Sequence, residues 1–409
     1  MLYEPDRHEA LRTIAWDEAR ALEAIARIAA DAEARFSPER YWPAHPRDLD
    51  PGEDAAAVAT PLYFGAAGVL WALEYLRAVG AATLHGDPLA ALDPLLERNR
   101  EWLAGAGSTD FASYLMGDTP ILLMAYGRQP TPALSDRLAA LIEGNIDHPA
   151  RELMWGAPGT LLAALFLHER DGGDARWATL FRRTAATLWS QLEWSGEYGC
   201  RYWTQDLYGQ RSTYLDAVHG FVATASPLIR GRHLLAPQDW EAWRRCIAET
   251  IARTATWEAD QASWRPVLDL PFERKKLMQF CHGAPGFVIC LGDWPDAGLD
   301  ALLLAAGRAT WAAGPLAKGS NLCHGTGGNG YAFLKLYLRT RDPLWLERAR
   351  AFAMHAVAQA EADAAQYGQM RYSLWTGDPG LAVYLWDCVH AQARFPTLDV
   401  FFGAPPAPA

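Results

Sequence analysis

The chain has 409 residues, of which 50% are hydrophobic and 21% charged, with a formal net charge of −11. That composition is globular and can supply a large core, while the negative charge argues against a broad electrostatic hold on nucleic acid or on an anionic membrane. No apolar run approaches the ~20 residues of a membrane span. The N-terminus, Met1-Leu2-Tyr3-Glu4-Pro5-Asp6, has no basic segment leading into an apolar one, so no signal peptide is read there. The six cysteines are scattered along a long chain, which argues against a disulfide framework. A soluble, reducing, cytoplasmic setting without membrane insertion is the expectation.

In chain order, residues 17–35 set Leu22, Ile25 and Ile28 on one face of a helix. Residues 36–60 carry Pro38, Pro43, Pro46 and Pro51 and read as an extended loop. Gly65-Ala66-Ala67-Gly68 then opens Val69-Leu70-Trp71-Ala72-Leu73, a helix apolar nearly all round and so predicted to be buried. The pairing of an amphipathic segment with a glycine turn and an apolar run recurs. Segments 87–103, 132–144, 174–195, 238–256, 296–313 and 342–364 precede turns at Gly117, Gly156, Gly220, Gly283, Gly325 and Gly377. The fourth turn departs from the pattern: Ala223 stands where most others have a second glycine, and Pro227 follows soon after. The strand signal is weak and centres on Gly199-Cys200-Arg201-Tyr202-Trp203. The tail, residues 403–409, reads as a disordered Pro/Ala linker.

Seven such pairs at helical-hairpin spacing predict an all-α domain over residues 1–402, a seven-fold α/α toroid. Apolar helices would form an inner ring and amphipathic helices an outer one. Closure removes the exposed end that an open solenoid must cap. If every glycine turn starts an inner helix, all seven turns lie at one mouth.

Two turns carry chemistry: Phe280-Cys281-His282-Gly283-Ala284-Pro285-Gly286 and Leu322-Cys323-His324-Gly325-Thr326-Gly327-Gly328. They lie about 40 residues apart, the period of the repeat, so a closed ring makes them neighbours. Thiolate and imidazole are ligands that zinc prefers. The plainer reading is two buried thiols beside a helix-capping histidine. Cys200, Cys246, Cys290 and Cys388 read as small buried apolar residues. Arg274-Lys275-Lys276 reads as a solvated face that could also attract an anionic partner.

These residues resemble the lanthionine synthetase C-like family, and within it the glutathione-binding eukaryotic-type branch more than the lantibiotic cyclases. The resemblance runs from the first glycine turn to Ala393-Arg394-Phe395-Pro396. Its most specific pieces are Gln279-Phe280-Cys281-His282-Gly283-Ala284-Pro285-Gly286, Lys318-Gly319-Ser320-Asn321-Leu322-Cys323-His324-Gly325, Tyr331-Ala332-Phe333-Leu334 and Tyr372-Ser373-Leu374. Phe280 stands where the family usually has tryptophan. The family fold is a seven-fold toroid, in agreement with the repeat count.

The resemblance implies zinc on Cys281, Cys323 and His324, with a fourth position left for a thiol. It implies His219 as the acid that protonates an enolate, with Glu152 at the place of a functional carboxylate. Lys318, Arg371 and His282 are expected at the substrate, His282 matching a position that is not a ligand in the family. Helix-end carboxylate and solvated lysine are the plainer readings of Glu152 and Lys318. The implied activity is zinc-dependent addition of a thiol, glutathione or a peptide Cys, to dehydroalanine or dehydrobutyrine in a peptide or protein, forming a thioether. The alternative is a non-catalytic adaptor or sensor that binds zinc and glutathione. A sugar-processing ring with paired carboxylates would use the abundant tryptophans but leaves the Cys-His motifs without a role.

Overall fold

The computed structural model describes residues 1–49 and 58–403; the tail from 404 onward lies outside them. Fourteen α-helices run through the described residues in alternating outer and inner positions. The outer helices are α1 (Glu18–Arg35), α3 (Leu92–Gly105), α5 (Pro132–Gly144), α7 (Ala175–Ser190), α9 (Pro237–Thr254), α11 (Asp300–Ala313) and α13 (Pro343–Tyr367). The inner helices are α2 (Ala66–Ala78), α4 (Thr119–Arg128), α6 (Ala157–Arg170), α8 (Phe221–Arg230), α10 (Ala284–Leu291), α12 (Thr326–Thr340) and α14 (Asp378–His390). Each inner helix touches the next, and α14 touches α2, so the ring is closed. Every residue of α10 is buried, whereas α1 buries only Ala21, Ala24, Ile25, Ile28, Ala29 and Ala32, the one-sided burial of an outer helix.

The two helix classes start differently. Four of the seven outer helices use side-chain caps: Asp17, Thr131, Asp174 and Asp342 each accept a backbone N–H of the first turn. Six inner helices start at a glycine that makes no side-chain cap bond. In several of them the free N–H groups are met by carbonyls of the turn that leads in, whereas in α10 the Ala284 N–H donates to Ser263 Oγ. Thr326, Gly327 and Gly328 donate to the carbonyls of Gly319, Ser320 and Asn321, and Phe221, Val222 and Ala223 donate to those of Tyr214, Leu215 and Asp216. The loop is thereby pressed against the helix, and this explains the second glycine: a Cβ at Gly328 would sit 1.9 Å from the Leu322 carbonyl oxygen.

The turns are also tied to one another round the mouth. The backbone N–H of Tyr63 donates to Leu115, Leu115 to Met154, Leu153 to Val218, Cys281 to Cys323, Cys323 to Trp375, and Trp375 to Tyr63. Among the described residues no such bond joins the fourth turn to the fifth. There His282 Nδ1 lies 2.7 Å from Asp216 Oδ2 instead.

Three short hairpins differ from the near strand-free expectation. They are β1–β2 (Glu193–Ser195, Cys200–Tyr202), β3–β4 (Gln205–Leu207, Gln210–Ser212) and β5–β6 (Ala255–Glu258, Gln261–Trp264). All three lie in the connections that lead from outer helices into the fourth and fifth turns. Strands of three or four residues are too short for alternation to show. The β3–β4 turn is built on Tyr208 and Gly209, both at positive φ, without the Asn-Gly signature that marks such turns. β1 also ends the predicted 174–195 helix early, at Ser190.

The bore is filled from the end opposite the mouth, a feature that repeat counting does not reach. The segment after α14 enters the ring, where Phe395 packs on Phe280, Tyr331 and Trp375, and leaves with Phe401 against Trp71, Tyr114 and Phe166. Lys335, buried in α12, lies 3.0 Å from Asp399 and anchors this plug. All six cysteines are free and buried. No described helix is long and apolar enough to cross a membrane.

Candidate metal centre and active site

The closed ring brings the fifth and sixth turns together. The ligand atoms of Cys281, Cys323 and His324 all lie within 4.8 Å of one another. Both cysteines sit two residues before the N-cap glycine of their helix, and the repeat brings both sulfurs to the mouth although the turns differ at that glycine, φ +108 at Gly283 and φ −122 at Gly325. Gly283, at φ +108, makes the first of these turns possible, since a side chain is strained there.

The donor set fits zinc. Burial, then the Lys318 and Arg371 charges, push the His324 imidazole down to about 3, so it is a neutral lone-pair donor throughout the working range. Burial, then the neighbouring Cys323, hold the Cys281 thiol well above its ordinary value, a penalty that a bound cation reverses. Gln279 Nε2 donates to Cys281 Sγ at 2.9 Å, and the Tyr63 hydroxyl lies 2.8 Å from Cys323 Sγ. Outer partners of this kind orient metal ligands.

A buried histidine–carboxylate pair lies on the third and fourth turns. His219 Nδ1 is 2.9 Å from Glu152 Oε2. Glu152 is fully buried and accepts the backbone N–H groups of Met154 and Trp155 at 2.8 and 2.5 Å, so its carboxylate is fixed before it meets the imidazole. Burial alone would lower the His219 pKa. The Glu152 hydrogen bond and charge, followed by Asp216 and Cys281, outweigh it and push His219 up to about 9. The imidazolium form is therefore present at neutral pH, and Nδ1 is held by Glu152, leaving Nε2 as the free proton-bearing atom.

His282 is outside the metal group. It faces Asp216, whose other oxygen accepts the N–H groups of Val218 and His219. Asp216 thus lies between the turn that carries His219 and the turn that carries Cys281, whose leading segments pair further back, Leu215 N–H with the Pro266 carbonyl and Leu268 N–H with that of Thr213.

A cleft of about 500 Å³ opens beside His324 between Trp42, Tyr63, Phe64, Trp102 and Arg371. Arg371 lines it, but its guanidinium is paired with Asp48 and its backbone N–H with Asp378, so a substrate carboxylate would compete with Asp48. Lys318 is exposed and lines a neighbouring recess that shares Arg371 with this cleft, and its carbonyl accepts from Arg47 at 3.0 Å. Arg274 and Lys275 are exposed to solvent.

Asp216, Gln279 and Tyr63 are absent from the sequence-based site. A signal for the first two was present. Counted back four from the glycine of each turn, the turns after the first carry Ser113, Glu152, Asp216, Gln279, Asn321 and Ser373, a polar residue each time. Several of these cap their own turn: Ser113 accepts from Met116, Asn321 from His324, and Asp216 from His219. In the third, fourth and fifth turns the same position also reaches into the site.

Residues 59–400 match the family described as lanthionine synthetase C-like protein. The chain belongs to that family. Among curated relatives, a Danio rerio protein named glutathione S-transferase LANCL1 is 36% identical over 132 residues, which is 31% of this chain and 32% of that one. The Arabidopsis thaliana LanC-like protein GCL1 is 33% identical over 141 residues, 31% of each chain. The matched stretches therefore span about a third of either relative. A solved structure of nisin cyclase superposes over 93% of this chain and 97% of its own with a TM-score of 0.60 at 15% identity, a likeness of fold.

If zinc binds this LanC-like protein, it ties α10 to α12 and stabilises the native state by RT ln(1 + [L]/Kd), about 3 kcal/mol at 100-fold excess over Kd. Chelation is expected to lower the melting temperature in a calorimetric scan while leaving one cooperative transition, because the apolar ring closes without the metal.

Proposed function

We propose that this protein joins a thiol to a dehydrated residue of a peptide or protein, with glutathione as the thiol and a thioether as the product. The observation that carries the reading is the meeting, at one mouth, of the Cys281, Cys323 and His324 donor set with the Glu152–His219 pair. Membership of the LanC-like family and a stretch shared with a relative named as a glutathione S-transferase support it.

Cys281, Cys323 and His324 would hold a zinc ion, which supplies a thiol as thiolate at neutral pH. The rest falls to the chain's own groups. Sulfur bonds to the β-carbon of dehydroalanine or dehydrobutyrine, and the π pair moves onto the carbonyl as an enolate. The α-carbon takes its proton from Nε2 of His219, and the thiol's proton leaves to solvent. Glu152 holds the imidazole in its protonated form and in place. The cleft beside His324 accepts the body of the thiol, with Lys318 in the adjoining recess for a carboxylate and Arg371 between the two, held by Asp48.

Incubation with glutathione and a dehydroalanine peptide, followed by mass measurement, tests the reading. A peptide heavier by one glutathione is the expected product. Bound glutathione with an unchanged peptide would leave the adaptor reading in its place. Lys318→Ala is expected to raise KM for glutathione and to change rates with a minimal thiol much less, because it acts on a part of the substrate remote from the reacting sulfur.

A further inference from the structure

We propose that Tyr63 and Gln279 are positioning residues for the two ligand sulfurs, and that they direct addition to the substrate thiol by holding Cys323 and Cys281 back from the same reaction. The inference rests on the reading of this mouth as a zinc centre for thiol addition.

Such a centre sets three sulfurs beside one electrophile, two from the protein and one from the substrate. All are nucleophiles as thiolates. If Cys281 or Cys323 attacked, its sulfur would bond to the β-carbon, the π pair would pass to the carbonyl, and the α-carbon would take a proton. The product would be a protein thioether in place of a metal ligand. A hydrogen bond donated to a thiolate occupies a lone pair and spreads its charge, which lowers its reactivity without removing it from the metal.

Each ligand sulfur has one such donor. The Tyr63 hydroxyl is 2.8 Å from Cys323 Sγ. Against a thiolate only the phenol carries a proton, so Tyr63 donates. Tyr63 occupies, in the first turn, the place two residues before the N-cap glycine that Cys281 and Cys323 occupy in theirs. Gln279 Nε2 donates to Cys281 Sγ at 2.9 Å from a position 5% exposed.

The end of the amide that meets the sulfur is determined by Arg7. Its Nη2 donates to Gln279 Oε1 at 3.1 Å, and a guanidinium has no acceptor with which to receive the other end. A flipped amide would set an oxygen against a thiolate and an N–H₂ group against a cation. Arg7 is itself held by backbone pairing. Ala317 N–H donates to the Arg7 carbonyl and Glu9 N–H to that of Pro315, both at 3.0 Å, along the segment that leads into the Cys323 turn. The N-terminal arm therefore docks on one ligand-bearing turn and reaches the other through Arg7.

The test compares wild type with Tyr63→Phe, Gln279→Met and Arg7→Met, all zinc-loaded. Iodoacetamide serves as the electrophile, and alkylated cysteines are located by peptide mapping. Cys323 is expected to be alkylated faster only in Tyr63→Phe, and Cys281 faster only in Gln279→Met and Arg7→Met. Zinc should pass to a chromophoric chelator about 10- to 100-fold more readily in Tyr63→Phe and Gln279→Met. Equal alkylation in all four proteins would overturn the proposal, and so would both cysteines reacting faster in every variant, since that is general loosening. Alkylation by iodoacetamide does not depend on turnover. A protein that shows the split pattern yet adds no thiol to a dehydroalanine peptide would defeat the proposed function, and with it the direction of addition, while leaving Tyr63 and Gln279 as positioning residues of the two sulfurs. A wild type that holds no zinc would defeat both.

Discussion

Cys323→Ala is expected to purify without zinc and without detectable thiol addition, while remaining folded. The two effects share one cause. Cys323 is 1% exposed and supplies one of the three donor atoms, so its loss leaves a thiol and an imidazole, too few for a zinc site, which uses three or four protein ligands. The fold survives because the turn is held through its backbone. Cys323 N–H donates to the Trp375 carbonyl and Cys281 N–H to the Cys323 carbonyl, and neither bond needs the side chain. Elemental analysis of protein purified without added metal, with a thermal melt beside it, checks the expectation. A metal-free wild type with full activity would overturn the zinc reading.

His219→Ala separates binding from turnover. The variant is expected to keep zinc and to bind glutathione, because His219 is outside the donor set. Its rate should fall by roughly 10²–10⁴-fold, the usual worth of a positioned acid. Glu152→Gln sharpens the test. His219 is held at about 9 against burial by the Glu152 hydrogen bond and charge, so a neutral amide lets its pKa fall toward the ordinary value. The acid works only while protonated, and activity is lost as pH rises through the folded-state pKa. The alkaline limb of the pH–rate profile should accordingly move to lower pH in Glu152→Gln. Wild-type turnover in His219→Ala would remove this histidine from the mechanism.

The periodicity of the chain determined the architecture. Seven apolar runs, each opened by a glycine turn, cannot bury their surface one at a time, and a closed ring is the arrangement that buries them all. The repeat also determined that Cys281 and Cys323 would meet, since equal places in successive turns become neighbours once the ring closes. Helix α1 lies at Glu18–Arg35 within the predicted 17–35, and α13 at Pro343–Tyr367 over most of the predicted 342–364, because long amphipathic stripes are strong local signals. What the tertiary structure alone decided depends on contacts between segments far apart in sequence. The plug of Phe395 and Phe401 follows the last helix without any pattern of its own, and only the empty bore gives those rings a place. Arg7 and Gln279 are separated by most of the chain, and Tyr63 and Cys323 by nearly as much. A hydrogen bond between such partners leaves no local trace, since it exists only when the mouth closes and its turns share one small buried volume.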